Sequence, residues 1–278
     1  MKRKMTDIKT KKQELCSKKE YGFDDLVTVM EVLRSEEGCP WDREQTHETI
    51  RNDFIEETYE VIEAIDTSDP VLLREELGDV MLQVVFHARI EEENGGFNAG
   101  DVCNDICKKL IHRHPHVFGD VKVGSSGEVL DVWNEIKNEE KQRVTMTDKL
   151  RAIPPMLPAL MRAEKVGKKA KCFDFSDAAS VREKLDEELR EVDEAVADGD
   201  PFAIEEEIGD LLLTVTSLCR KLHVHPEEAL KKATDKFIDR FETLENETMK
   251  RGIDIESATM EVLDGVWEEI KHKKTQKI

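Results

Sequence analysis

The chain has 278 residues, room for one large or two ordinary domains, and its 42 basic against 62 acidic residues leave a formal charge of −20. That balance argues against nucleic acid, whose phosphate backbone needs a basic face, and equally against an anionic membrane surface. Aromatics are 5% and charged residues 37%, the composition of amphipathic helices rather than of a β-sandwich.

Residues 1–21 open with "MKRKMTDIKTKKQELCSKKE", Lys-rich and without the apolar core of a signal peptide. They read as a solvated, flexible basic arm. No apolar run approaches the ~18 residues of a membrane span. Cys16, Cys39, Cys103, Cys107, Cys172 and Cys219 form no CxxC, so they read as reduced thiols of a cytoplasmic protein.

The next feature is a repeat. "IRNDFIEETYEVIEAIDTSDPVLLREELGDVMLQV", from Ile50, lies over "VREKLDEELREVDEAVADGDPFAIEEEIGDLLLTV", from Val181, at a constant offset of 131 residues without a gap. Each copy reads as a helical hairpin. Asp69-Pro70 and Asp200-Pro201 give an N-cap followed by Pro at the first helical position. Phe54, Val61, Ile62 and Ile65 share helical spacing, as do Leu73, Leu77, Val80, Met81 and Val84. Gly78 and Gly209 interrupt good helices at a cost of ~1 kcal/mol each. They point either to close approach of another backbone or ligand, or to tight helix packing.

Both copies carry the same carboxylates: Glu57 and Glu60, then Glu76 and Asp79, matched by Glu188 and Glu191, then Glu207 and Asp210. Residues three apart are helical neighbours, so each pair sets like charges side by side at a cost of a few tenths of a kcal/mol. Neighbouring positions diverged, as in Thr58 against Leu189 and Tyr59 against Arg190. If the hairpin helices pack antiparallel, four carboxylates meet in each half. A hard divalent cation neutralises such a cluster, and all-oxygen ligation points to Mg²⁺ or Mn²⁺, shared with substrate phosphates.

Downstream the halves again run parallel, with shifted offsets. Lys109 and Arg113 correspond to Lys236 and Arg240, each pair four apart and placed to hold phosphate oxygens. Trp133 and Lys137 correspond to Trp267 and Lys271, an aromatic ring one turn from a cation. Upstream, "CPWD" with Trp41 roughly parallels "CFDF" at Cys172–Phe175. Cations, an aromatic and a metal cluster describe a nucleotide-polyphosphate site. Pro154, Pro155 and Pro158 break helices between the halves, placing domains at 22–150 and 151–278.

Other metal readings are weaker. "HRHPHVF" with Cys103 and Cys107 evokes zinc, and Glu44-x-x-His47 is half of a di-iron signature, but neither recurs in the second half. Cys39 has no evident base partner.

"GCPWDREQTHETI", "EETYEVIEAI", "EELGDVMLQVVFHA", "RHPHVF" and "IPPMLPALMRAEKV" together resemble the tandem MazG-type nucleoside triphosphate pyrophosphohydrolases, over about residues 22 to 275. The resemblance implies an all-α fold of tandem bundle domains assembled as an obligate homodimer. It implies Mg²⁺-dependent cleavage of nucleoside triphosphate to monophosphate and pyrophosphate. The family's metal ligands fall on the eight carboxylates above. Its nucleotide contacts fall on Lys236, Arg240, Trp267 and Lys271, with Lys109, Arg113, Trp133 and Lys137 as first-half equivalents and Trp41 beside the base. The second half lacks CPWD, so base contacts there are expected to differ. Glu56 and Glu187, one step around the helix from the ligands, are candidates for orienting the attacking water. Two alternatives stay open: hydrolysis narrowed to dUTP, dCTP or phosphoribosyl-ATP, and a non-catalytic helical dimer that binds nucleotide or protein.

Overall fold

The computed structural model describes residues 8–141 and 144–275, with side chains to residue 272. Among the described residues the secondary structure is helical, without strands. Two compact units divide the chain, Met1–Ile136 and Lys137–Ile278.

In the first unit, α1 (Ile8–Ser17) packs on α2 (Phe23–Leu33), followed by the short α3 (Pro40–Glu44). Residues 1–7 of the basic arm lie outside the described residues, but its remainder is helical rather than loose. Lys11 pairs with Glu31, and Lys12 donates to the Glu37 carbonyl at 2.7 Å. The hairpin is α4 (Arg51–Asp66) and α5 (Pro70–Glu93), followed by α6 (Ala99–Arg113), α7 (Pro115–Phe118) and α8 (Ser126–Glu140), the helix within which the chain is divided. The core forms where Met30 of α2 meets Ile50, Val85, Phe86 and Ile90.

The second unit continues with α9 (Met146–Arg151), α10 (Ala159–Lys169), the hairpin α11 (Ala178–Asp198) and α12 (Pro201–Lys221), and then α13 (Pro226–Lys250) and α14 (Met260–Thr275). Pro154 and Pro155 fall between α9 and α10, and Pro158 caps α10. Leu244, Val266 and Ile270 form the core between α13 and α14.

The hairpin turns fold as the capping residues dictate. The Asp69 carboxylate accepts from the backbone N–H of Val71 at 2.9 Å and Leu72 at 3.1 Å, and Asp200 accepts from Phe202 at 3.0 Å. The residue before each cap is left-handed: Ser68 at φ 56° and Gly199 at φ 68°. The turn therefore demands positive φ, which glycine meets freely and serine meets at about 1–2 kcal/mol. Neither Gly78 nor Gly209 touches anything that its absent Cβ would meet, so within one chain neither a close backbone nor tight helix packing explains them.

Candidate metal and nucleotide site

In the first hairpin, oxygen atoms of Glu57, Glu76 and Asp79 lie within 4.8 Å of one another. Glu60 is within hydrogen-bonding reach of both Glu57 and Glu76. Burial, then the charge of Asp79 and contact with Glu60, pushes the Glu57 carboxyl above its ordinary value. Burial and Glu60 do the same to Glu76, which is 8% exposed. Carboxylates arranged this way attract either a proton or a cation.

The second hairpin repeats the cluster, with Glu188, Glu207 and Asp210 oxygens within 4.8 Å of one another. Burial first, then Glu191, Glu188 and Asp210, raises the Glu207 carboxyl. Glu188 is 3% exposed, and its Oε2 is buried without a hydrogen-bond partner. A carboxylate oxygen in that state is costly unless something positive meets it. The Lys184 ammonium meets the other side of the cluster, 2.6 Å from Glu187, 3.0 Å from Glu188 and 3.8 Å from Glu191. Glu187 and Glu188 hold Lys184 above its usual range, and Lys184 in turn lowers Glu187. Oxygen-only donors with an orphaned buried oxygen fit a hard divalent cation.

Beside the first cluster lies a cavity of about 290 Å³, to which Glu57 contributes a wall. Met30, Ile50, Leu82 and Phe86 make it apolar, Asp53 and Glu56 line its acidic side, and Trp41 and Gln83 complete it. Trp41 sits on the short α3, which is braced from both sides. The Arg34 guanidinium donates to the carbonyls of Asp42 and Gln45, pairs with Glu93 at 2.8 Å, and lies 5.3 Å from the Phe86 ring centre. A Cβ at Gly38 would fall 2.1 Å from the Leu33 carbonyl oxygen, so the turn into α3 admits only glycine. The second half differs here: Phe173 is 94% exposed, and Asp174 is clamped by Arg220 and Lys221, which hold its carboxyl far below the usual range.

The cation pairs occupy other helices. Lys109 is exposed on α6, whereas Arg113 is buried, with its guanidinium 5.2 Å from the Trp133 ring centre. Lys137 follows Trp133 by one turn on α8. In the second half Trp267 packs 5.5 Å from Phe237 and against the α13–α14 core, between the helices that carry Lys236, Arg240 and Lys271. Lys271 pairs with Glu268 at 2.6 Å. The structure thus gathers carboxylates on one hairpin of each half and cations with aromatics on another pair of helices.

Three residues at the site escape a reading based on matching positions. Lys184 lies over Asp53 in the repeat and Gln83 over Thr214, so both show only as mismatches in the alignment of the halves. Arg34 lies outside the aligned segment altogether.

An all-α repeat whose two hairpins each carry a carboxylate cluster able to hold a metal ion is the class of fold that the site defines. The MazG nucleotide pyrophosphohydrolase domain matches residues 45–118 and 165–244, and the chain belongs to that family of enzymes. It is 47% identical over 251 residues to the nucleoside triphosphate pyrophosphohydrolase/pyrophosphatase MazG of Thermotoga maritima, spanning 90% of this chain and 95% of that one. It is 43% identical over 256 residues to the nucleoside triphosphate pyrophosphohydrolase of Escherichia coli K12, covering 90% of this chain and 97% of the relative. Among the described residues no helix is long and apolar enough to cross a membrane.

Proposed function

We propose that the chain hydrolyses nucleoside triphosphates to nucleoside monophosphate and pyrophosphate in a Mg²⁺-dependent reaction, with Mn²⁺ as a substitute, across both ribo- and deoxynucleotides. The observation that carries this reading is the buried, unpartnered Oε2 of Glu188 inside a carboxylate cluster that recurs in the first hairpin. Glu188, Glu191, Glu207 and Asp210 would hold the cation in one half, and Glu57, Glu60, Glu76 and Asp79 in the other. When bound, it neutralises phosphate charge and makes water a better nucleophile.

The remaining work falls to the chain's own side chains. Glu187 and Glu56 are exposed beside the clusters, where each can orient a water and accept its proton as the α-phosphorus is attacked. Lys236, Arg240 and Lys271 offset charge on the departing pyrophosphate, with Trp267 packing on base or sugar. Lys109, Arg113, Trp133 and Lys137 play these parts in the first half, where Trp41 lines the base side. We place the enzyme in the cytoplasm as a homodimer.

Phosphorus NMR of a mixed nucleotide pool tests the reaction. Pyrophosphate appearing only with added Mg²⁺ or Mn²⁺ is expected; orthophosphate with diphosphate would overturn α–β cleavage. Asp79→Asn and Asp210→Asn, singly and together, then test the site. Each single change is expected to remove the turnover of one half, and the pair to remove all of it. Full activity in the double variant would refute both clusters as the metal sites.

A further inference from the structure

The α11–α12 hairpin is closed at one end by the Asp200-Pro201 turn and at the other by a charged clamp. The Arg220 guanidinium, in the last turn of α12, donates to both oxygens of Asp174, at 2.5 and 2.6 Å. Lys221 adds a contact to Asp174 at 3.0 Å and donates to the Phe175 carbonyl. The side chains of Asp174 and Arg220 are 16% and 13% exposed. Gly167 of α10 leaves the guanidinium its room, since a Cβ there would fall 2.9 Å from Nε and 3.3 Å from Cζ. Just beyond Asp174 in the chain, Asp177 caps α11 by accepting from the Ser180 N–H at 2.8 Å. The clamp therefore ties the start of α11 to the end of α12.

The carboxylate cluster lies midway between turn and clamp. Ten residues separate Ala178 from Glu188, and ten separate Asp210 from Arg220. On each helix the cluster thus stands about 15 Å from the clamped end. Apolar contacts between two helices set no exact register, because burial is non-directional. A bidentate Arg–carboxylate pair fixes both distance and angle. The cluster needs that register, because its oxygens come from both helices. Mg²⁺ takes near-octahedral oxygens at about 2.1 Å, so a slide by one residue's rise, about 1.5 Å, takes a donor out of the shell. The first half uses its arginine otherwise. Arg89 stands at the repeat position of Arg220 but pairs with Glu92 at 3.2 Å and Glu93 at 2.8 Å, both on its own helix.

We propose that Asp174 and Arg220 are positioning residues for the second-half cation: their pair sets the register of α11 on α12, and so holds Glu188 and Glu191 level with Glu207 and Asp210. The inference rests on the reading that this cluster holds a divalent cation. Both residues act through the helices they join, and neither is a ligand. Lys221 supports the clamp, but as a point charge it sets no angle.

The test titrates Mn²⁺ into the full chain carrying Glu57→Gln and Asp79→Asn, which disable the first cluster, and reads free Mn²⁺ by electron paramagnetic resonance. Arg220→Lys keeps the charge and gives up the planar fork, so it is expected to weaken Mn²⁺ binding about threefold or more with the helical circular dichroism unchanged. Asp174→Asn is expected to weaken it about tenfold or more, the range for groups that hold metal ligands in place. The two changes together should be no worse than Asp174→Asn alone, because both break the same pair. Pyrophosphate release should need more Mn²⁺ for its half-maximal rate by the same factors, with kcat at saturating Mn²⁺ much less affected. Leu244→Ala opens the α13–α14 core instead. It is expected to lower Tm and to leave Mn²⁺ affinity where it was. Affinity that survives both Arg220→Lys and Asp174→Asn, or that falls equally in Leu244→Ala, overturns the positioning role alone. No saturable Mn²⁺ binding to the parent overturns the cation reading of the second half, and this inference with it.

Discussion

At the scale of one residue, Glu188 carries the proposal of a cation in the second hairpin. Its Oε1 is satisfied by Lys184 at 3.0 Å, while Oε2 is buried and unpaired. The Lys184 ammonium brings one positive charge to a cluster of four carboxylates, so the burial and the repulsion that raise Glu207 are only partly offset. The first hairpin has Asp53 at that position and gains no such relief. Under the proposed function a divalent cation would complete both clusters. Glu188→Gln keeps the shape, removes one charge and replaces an acceptor with a donor. The expected outcome is an unchanged helical circular dichroism spectrum in the absence of cation. Mg²⁺ is expected to raise the Tm of the wild type, and in the variant that shift should be largely lost, since ligand stabilisation scales with affinity. A full Mg²⁺ shift in the variant would remove Glu188 from the ligand set.

At the scale of helices and loops, α3, which carries Trp41, and the turn after it are tied to α5 twice, by Arg34 and by a histidine pair. His47 Nδ1 and His87 Nδ1 are 2.7 Å apart with rings stacked at 5.0 Å, and His47 Nε2 is 2.9 Å from Glu91 Oε1. One Nδ1 must donate and the other accept, so the contact fails when both rings are protonated. Burial, and then the charge of His47, depresses His87 below the ordinary 6.5. The sign follows from proton uptake. Below pH 6.5 the unfolded chain protonates this histidine first, so stability is lost as pH falls toward the folded value. His87→Asn should therefore lower Tm less than expected at pH 5.5, giving a smaller gap from wild type there than at pH 7.5. An equal gap at both pH values would remove His87 as the source. The hairpins themselves were legible in the sequence, because a constant offset preserves register, caps and carboxylates together. The His47 contact was not, since Glu44-x-x-His47 occurs once and its partner lies 40 residues away on another helix. The loose parallel of CPWD with CFDF does not extend to the fold, for a physical reason. Trp41 is held over a cavity by Arg34, whereas Phe173 points to solvent and its neighbour Asp174 is spent on Arg220. Spacing along one helix reports neighbours on that helix and is silent on what another element brings.

For the whole molecule, the unanswered feature is a stripe of exposed apolar side chains on the outer face of each hairpin. Leu77 and Met81 on α5 are 49% and 45% exposed, and their repeat equivalents Ile208 and Leu212 on α12 are 40% and 51% exposed. Ile55, Tyr59 and Ile62 continue the pattern on α4 at helical spacing, and Val215 continues it on α12. Gly78 and Gly209 lie within these stripes with open space where a side chain would be. Glycine in mid-helix costs about 1 kcal/mol, and an exposed face with nothing packed on it returns none of that within one chain. A second copy laid against the stripe would account for both facts, because glycine lets backbones approach closely and the apolar residues leave water. Contiguous patches of this kind on a soluble chain mark an interface. Light scattering on the purified chain should then give about twice the 31.9 kDa chain mass at dilute concentration. Met81→Lys and Leu212→Lys together place charges in both stripes without touching a carboxylate of either cluster. The pair is expected to lower the mass to that of one chain and to cut Tm, since the stripes would face water uncovered. A monomer in the wild type, or an unaltered dimer in the double variant, would move the interface elsewhere and leave the two glycines without a partner.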